Sequence, residues 1–187
     1  MKAITNVVGF DDAPFAHEHR GDVRVVGAVC CRTRLDGVLS SRVRRDGVNS
    51  TDTLIELVGN SKFKEHIRAV LLQGIALAGF NVVDIRRLSE VLDVPVIVTV
   101  RKHPRLAMVK DALFDRTPGA APKWKLIEKA GPLEKLGAMW VQRIGLERHE
   151  AEALLEATTL HGNVPEPLRL AHLIAGGVTT GQSRGRA

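Results

Sequence analysis

Short apolar runs, broken by Gly, Pro and acidic residues, set the pattern of the chain. Asn6 to Phe10 is one such run and ends on Asp11-Asp12, which predicts a buried strand with acids at its end. Val23 to Arg32 and Val38 to Arg45 are rich in β-formers and flank Leu35-Asp36-Gly37. An Asp-Gly pair between two such runs predicts a hairpin turn. Thr53-Leu54-Ile55-Glu56 has the spacing of a capping box, so a helix is expected from about Asp52 to Gly59-Asn60. Ala69 to Leu72 predicts the next buried strand, halting at Gln73-Gly74.

The second half changes period. Asn81-Val82-Val83-Asp84 reads as a helix cap begun by Asn81, followed by Ile85, Leu88 and Leu92 at helical spacing. Pro95 to Val100 is mostly β-branched and predicts an internal strand. Pro104 then opens a helix that places Leu106, Val109 and Leu113 on one face. The Pro- and Gly-rich stretch Asp115 to Lys123 reads as a surface loop, and Trp124–Ile127 and Met139–Ile144 as edge strands. Helices follow from about Glu147 and from Pro165 to Ala175, the last with Leu168, Ala171 and Ile174 inward. Hairpin strands first, then strands alternating with helices, predict an α/β fold with a mixed central sheet and helices on both faces. At 187 residues the chain suits one domain, 1–187, with a basic, flexible tail over 176–187.

Composition narrows the setting. No apolar run approaches the ~20 residues of a membrane span, and Met1-Lys2-Ala3-Ile4-Thr5 does not read as a signal peptide. Cys30 and Cys31 are neighbours in a strand, where side chains point to opposite faces, so they read as reduced thiols of a cytoplasmic protein. A net charge of +6 allows attraction to a phosphate backbone. With no Tyr, five Phe and two Trp, a base-stacking platform is not expected.

Four segments together resemble the archaeal domain-of-unknown-function family 99, itself distantly similar to endonuclease V. They are Gly9-Phe10-Asp11-Asp12-Ala13-Pro14-Phe15, Gly79-Phe80-Asn81-Val82-Val83-Asp84-Ile85, Val94-Pro95-Val96-Ile97-Val98 and Pro165-Glu166-Pro167-Leu168-Arg169-Leu170-Ala171-His172. The resemblance implies a ribonuclease H-like fold. In such folds an acid on the first strand meets a second acid on the fourth, and the two hold Mg²⁺ for phosphodiester cleavage. Carried over, Asp11 matches the first-strand acid, while Gln73 stands where the Asp of an Asp-Gly motif is expected. An amide oxygen can coordinate Mg²⁺ but adds no charge. Lys102, or Arg101 beside it, falls where endonuclease V places a basic residue after its Val-Pro-x-Ile strand. The proline-aromatic wedge with which endonuclease V probes a damaged duplex has no match between Ser50 and Glu65.

The candidate catalytic residues are therefore Asp11, Asp12, Asp84 and Lys102, and the candidate ligands of Mg²⁺ or Mn²⁺ are Asp11, Asp52 and Gln73. Arg42, Arg44, Arg45 and Arg101 are candidate contacts to a nucleic acid, DNA or RNA. Each has a plainer role beside it. Asp11-Asp12 suits a turn before Pro14, and Asp46 precedes Gly47 in another. Asp52 and Asp84 suit helix N-termini, and the arginines suit a solvated face. His17-Glu18-His19 reads as a solvated loop, His66, His149 and His161 belong to no constellation, and Cys30 reads as a packed thiol. Two functions stay open: a divalent-metal-dependent enzyme that hydrolyses phosphodiesters, and a non-catalytic nucleic-acid-binding or interaction module that has lost its metal pair at Gln73. Small-molecule binding in the crevice is a third, with no motif behind it.

Overall fold

A computed structural model describes residues 4–183. Three strands open the chain, β1 (Asn6–Asp12), β2 (Asp22–Cys31) and β3 (Arg34–Arg44), and form an antiparallel meander. Helix α1 (Ser50–Gly59) leads to β4 (Ala69–Gln73), which pairs parallel to β1. A small hairpin, β5 (Ala76–Leu77) and β6 (Asn81–Val82), precedes α2 (Ile85–Leu92) and β7 (Val96–Val100), which is parallel to β4. Helices α3 (Leu106–Arg116) and α4 (Ala120–Lys129) follow, then β8 (Glu134–Leu136) and β9 (Met139–Ile144), and finally α5 (Arg148–Thr158) and α6 (Glu166–Thr180). The seven-stranded sheet runs β3-β2-β1-β4-β7-β9-β8. No helix among the described residues is long and apolar enough to cross a membrane.

The parallel centre explains the unbroken apolar runs. Strands β1, β4 and β7 are covered on both faces, so Val7, Val8, Val70, Leu71, Leu72, Ile97 and Val98 are all buried. Gly9 and Asp11 face α6, which lies across β1 and β2. A Cβ on Gly9 would meet the Pro167 carbonyl carbon at 2.5 Å and the Leu168 nitrogen at 2.8 Å, so only glycine lets the helix backbone approach this closely. On the opposite face, α1 packs on β3 and on α2.

Several expected boundaries move. The hairpin turns at Arg32-Thr33, not at Asp36-Gly37, and Arg32 takes φ 55° there. Gly37 lies inside β3 opposite a register shift at Val29/Cys30, and its missing side chain makes room for the Phe63 ring. The Asp-Gly signal thus marked a packing requirement and not a turn. Trp124–Ile127 is helical, within α4. Ala120, Lys123 and Ile127 are its buried stripe, and Pro122 is tolerated because it sits in the first turn. Asn81 does not cap α2; Asp84 does, accepting from the Arg87 N–H at 3.1 Å. Asn81 is instead fully buried, with Oδ1 accepting from Ser50 N at 3.0 Å and Nδ2 donating to Arg44 O at 2.8 Å. Helix α6 continues past Ala175 to Thr180, and Ser183 Oγ folds back onto the Leu173 carbonyl at 2.6 Å. The rest of the expected tail, 184–187, lies outside the described residues. Both cysteines are free, and burial pushes the Cys30 thiol up to about 12.

Gly9→Ala is expected to destabilise the fold by about 1–3 kcal/mol, the usual cost of forcing atoms into a packed contact. Urea unfolding with an unchanged m-value checks it; a loss below about 0.5 kcal/mol would mean that α6 can yield.

Candidate active site

The register of the parallel strands assembles the site. Phe10 pairs with Leu72, which brings the end of β1 beside Gln73 at the end of β4, and Gln73 pairs in turn with Thr99 of β7. Carboxyl ends of parallel strands are where open α/β sheets bind ligands. Here they form a cavity of about 630 Å³ lined by Asp11, Asp12, Phe15, Gln73, Arg101 and His172. A second cavity of about 470 Å³, between the β8–β9 turn and α5, is lined by Glu152, Glu156, Thr159 and Asn163 among apolar residues and lies away from the parallel strand ends.

Asp11 is 5% exposed. Its Oδ2 lies 2.8 Å from His172 Nδ1, and its Oδ1 accepts from the Asp12 N–H at 2.9 Å. His172 reaches it because α6 buries Leu168, Ala171 and Ala175 against the sheet, and residue 172 falls one turn after Leu168 beside that stripe. Burial pushes the Asp11 carboxyl up to about 6, with the neighbouring Asp12 charge adding to the rise and His172 opposing it. Burial raises Asp12 as well, against the Ala78 N–H that its Oδ2 accepts at 2.7 Å.

That N–H belongs to the turn between β5 and β6, where Ala78 and Gly79 take φ 48° and 84°. Asp46 holds the turn: its Oδ1 accepts from the Phe80 N–H at 2.8 Å, and a Cβ on Gly79 would strike the same carboxylate. Lys123 is buried and donates to the Asp46 carbonyl, and burial pulls its ammonium below the usual range. Arg45 Nε donates to Asp46 Oδ2 at 3.2 Å, while its guanidinium also donates to the carbonyls of Ala16, His17 and His19 and lies 5.3 Å from the Phe15 ring centre. Arg45 is therefore a clasp on the loop after β1. His17 and Glu18 are exposed on that loop, and the His19 ring bonds the Asp22 carbonyl at 3.0 Å.

The remaining candidates separate. Asp52 lies on α1, 56% exposed, and pairs with Arg87 at 2.6 Å. Asp84 caps α2 and meets Lys129 at 2.8 Å; partial burial favours its neutral form, but Lys129 and the Arg87 N–H outweigh that and hold it below the usual carboxylate range. Neither lines the cavity. Arg101 does, whereas Lys102 is exposed and does not. His172 went unassigned in the sequence, although its place one turn after an inward-facing leucine could have marked it.

The donor set can be tested against a divalent cation. Among the described residues no three His, Cys, Asp or Glu side chains converge into a cage. Two adjacent carboxylates that burial disfavours as anions nonetheless share a cavity with the Gln73 amide. Mg²⁺ keeps several waters and needs only one or two carboxylates. The residues fit an open, largely hydrated Mg²⁺ or Mn²⁺ site on Asp11 and Gln73, and do not fit a closed one.

Similar proteins place the family and the fold. The family described as Endonuclease dU matches residues 3–179. A UPF0215 protein of Deinococcus radiodurans is 54% identical over 183 residues, covering 98% of this chain and 93% of its own, so the family is not confined to archaea. The crystal structure of a protein of unknown function from Archaeoglobus fulgidus superposes with a TM-score of 0.87 at 36% identity, covering 93% of this chain and 98% of that one. Ciona intestinalis endonuclease V, in complex with a 24mer DNA containing an inosine, gives a TM-score of 0.58 at 13% identity over 89% of this chain and 82% of its own. That last likeness speaks to the fold, which is the endonuclease V, ribonuclease H-like type.

The raised Asp11 carboxyl fixes a pH dependence. The folded protein binds a proton on Asp11 that the unfolded chain has already lost, so stability in EDTA is expected to fall as pH rises from about 4 to about 6. Asp11→Asn removes that step and is expected to be more stable than wild type above pH 6, by about 1–3 kcal/mol. Denaturant midpoints at pH 4, 6 and 8 check it, and equal midpoints at pH 8 would show that burial does not penalise the charge.

Proposed function

We propose that this chain, which belongs to the endonuclease dU family, hydrolyses a phosphodiester bond of DNA close to a deoxyuridine, using Mg²⁺ or Mn²⁺. The observation that carries the reading is the Asp11–His172 pair at the floor of the strand-end cavity, with Arg101 on its wall. The DNA bound by the Ciona endonuclease V supports a nucleic-acid substrate for the same architecture, and the family description supports deoxyuridine as the lesion. The free cysteines suit a cytoplasmic setting.

Each side chain has a task that its surroundings allow. Asp11 and the Gln73 amide oxygen would hold the cation, and Asp12 adds negative charge next to it. A divalent ion bound there supplies Lewis acidity at the phosphoryl oxygens and favours hydroxide over water as the attacking species. His172 is oriented by Asp11 through Nδ1, which leaves Nε2 as the nitrogen that moves a proton to or from the reacting oxygens. Arg101 neutralises phosphate charge from the cavity wall. Phe15 and Leu168 exclude water from one side.

A specific observation favours a second reading. Gln73 gives the cavity a neutral amide where a second strand-borne acid would strengthen cation binding, so a non-catalytic module that keeps the nucleic-acid surface is the rival.

End-labelled DNA and RNA, with and without deoxyuridine or deoxyinosine, incubated in Mn²⁺ or in EDTA, separate the two. Metal-dependent cutting of deoxyuridine-containing DNA is expected, lowered by about 10²–10⁴-fold in His172→Ala and at least as far in Asp11→Ala. Cutting by Gln73→Asp but not by wild type would favour the non-catalytic module. Silence from both, with binding retained, would overturn the enzymatic reading.

A further inference from the structure

On one side of Asp11 the sheet continues through β2 and β3, and the pleat decides which side chains a strand of nucleic acid crossing it meets. Gly9 and Asp11 face α6, and they pair across β1–β2 with Ala28 and Val26. Arg24, two residues before Val26, shares that face. Across β2–β3, Val26 pairs with Ser40, Arg24 with Arg42 and Asp22 with Arg44, so the face continues through Ser40, Arg42 and Arg44 to the sheet's edge. Helix α6 covers β1 and β2, while Val38, Ser40, Arg42 and Arg44 are exposed.

The charges on this face are poorly neutralised. Arg24 bonds a hydroxyl and not a carboxylate, donating to Ser40 Oγ at 2.9 Å. Arg44 meets Asp22 only at 3.7 Å, with both side chains more than half exposed. At the far end of the same strand Arg34 is different: Asp36 holds its guanidinium with bonds of 2.7 and 3.3 Å. Arg45 is not part of the face, being 14% exposed and committed to the loop after β1.

We infer that Arg24, Arg42 and Arg44 form a phosphate-binding track that carries the substrate strand from the Asp11 cavity towards the β3 edge. The inference rests on the reading of that cavity as a nucleic-acid site. Adjacent strands lie about 4.8 Å apart, so β3 runs about 10 Å from β1. Along a duplex axis the rise is about 3.4 Å per nucleotide, so a duplex laid across the strands brings Arg42 to the phosphate about three nucleotides from the one over Asp11. The guanidinium forks suit phosphate oxygens, and the single Asp22 leaves the face net positive.

Binding of a deoxyuridine-containing oligonucleotide, followed by fluorescence anisotropy in EDTA from 50 to 200 mM salt, tests the track on the full chain. Each phosphate contact contributes about 0.7–0.9 to the slope of log K against log salt. The double variant Arg24→Gln/Arg42→Gln is expected to lose about 1.4–1.8 of that slope, whereas Arg34→Gln keeps the wild-type slope. Shortening the oligonucleotide to two nucleotides on the side that crosses β3 removes the Arg42 contact and keeps the Arg24 one, and is expected to halve the difference between the double variant and wild type. A wild-type slope in the double variant overturns the track and leaves the cavity reading standing. Equal losses in Arg34→Gln and the double variant also overturn it, since the effect would then be one of overall charge. Failure of wild type to bind at any salt overturns both.

Discussion

The candidate site of this molecule depends on how closely α6 can lie on β1. The contact is made between main chains: the first turn of the helix, at Pro167 and Leu168, rests where Gly9 has no side chain. One turn further along, the helix delivers His172 to Asp11, so the packing of Gly9 sets the height of the imidazole above the strand. Parallel pairing of β1 with β4 then sets Gln73 beside Asp11. Three residues from three parts of the chain meet because two backbone surfaces fit.

The second constraint is electrostatic. Two adjacent acids at the end of a buried strand resist ionisation, and the fold lessens the penalty by local means: an imidazole on one, and a backbone N–H from a turn with positive φ on the other. That turn needs its own support. Asp46, Arg45 and Lys123 supply it, tying the end of β3, the loop after β1 and α4 into one polar cluster behind the cavity. Charged side chains that sequence proximity would send to a ligand are occupied in holding the walls.

How legible this was in the sequence varies with the range of the interaction. Strand-forming runs such as Ala69 to Leu72 and Pro95 to Val100 carry their burial in their own composition, and the central sheet and its strand-end acids could be read from them. Asp36-Gly37 and Trp124–Ile127 misled because a local signal served a distant need: Gly37 yields to Phe63, and α4 turns Lys123 inward to Asp46. The candidate site was half visible. Asp11, Asp12, Gln73 and Arg101 lie at strand ends that patterning locates. Asp52 and Asp84 followed the same reasoning, yet they are tied to Arg87 and Lys129 away from the cavity. His172 could not be paired with Asp11 until the handedness and seat of α6 were known, and Arg45 could not be told from Arg42 before the pleat was.

The hydrogen bond between Asp11 and His172 spans 161 positions of sequence, and the one between Asp12 and Ala78 spans 66. Contacts this distant close late, because each must first overcome the entropy of the loop it ties off. During synthesis at about 5–20 residues per second, Asp11 precedes its imidazole by roughly 8–32 s. For that interval β1 carries its acids without the helix that shields them. A nascent chain can therefore own most of its sheet and have no site, which comes into being only when the last helix arrives.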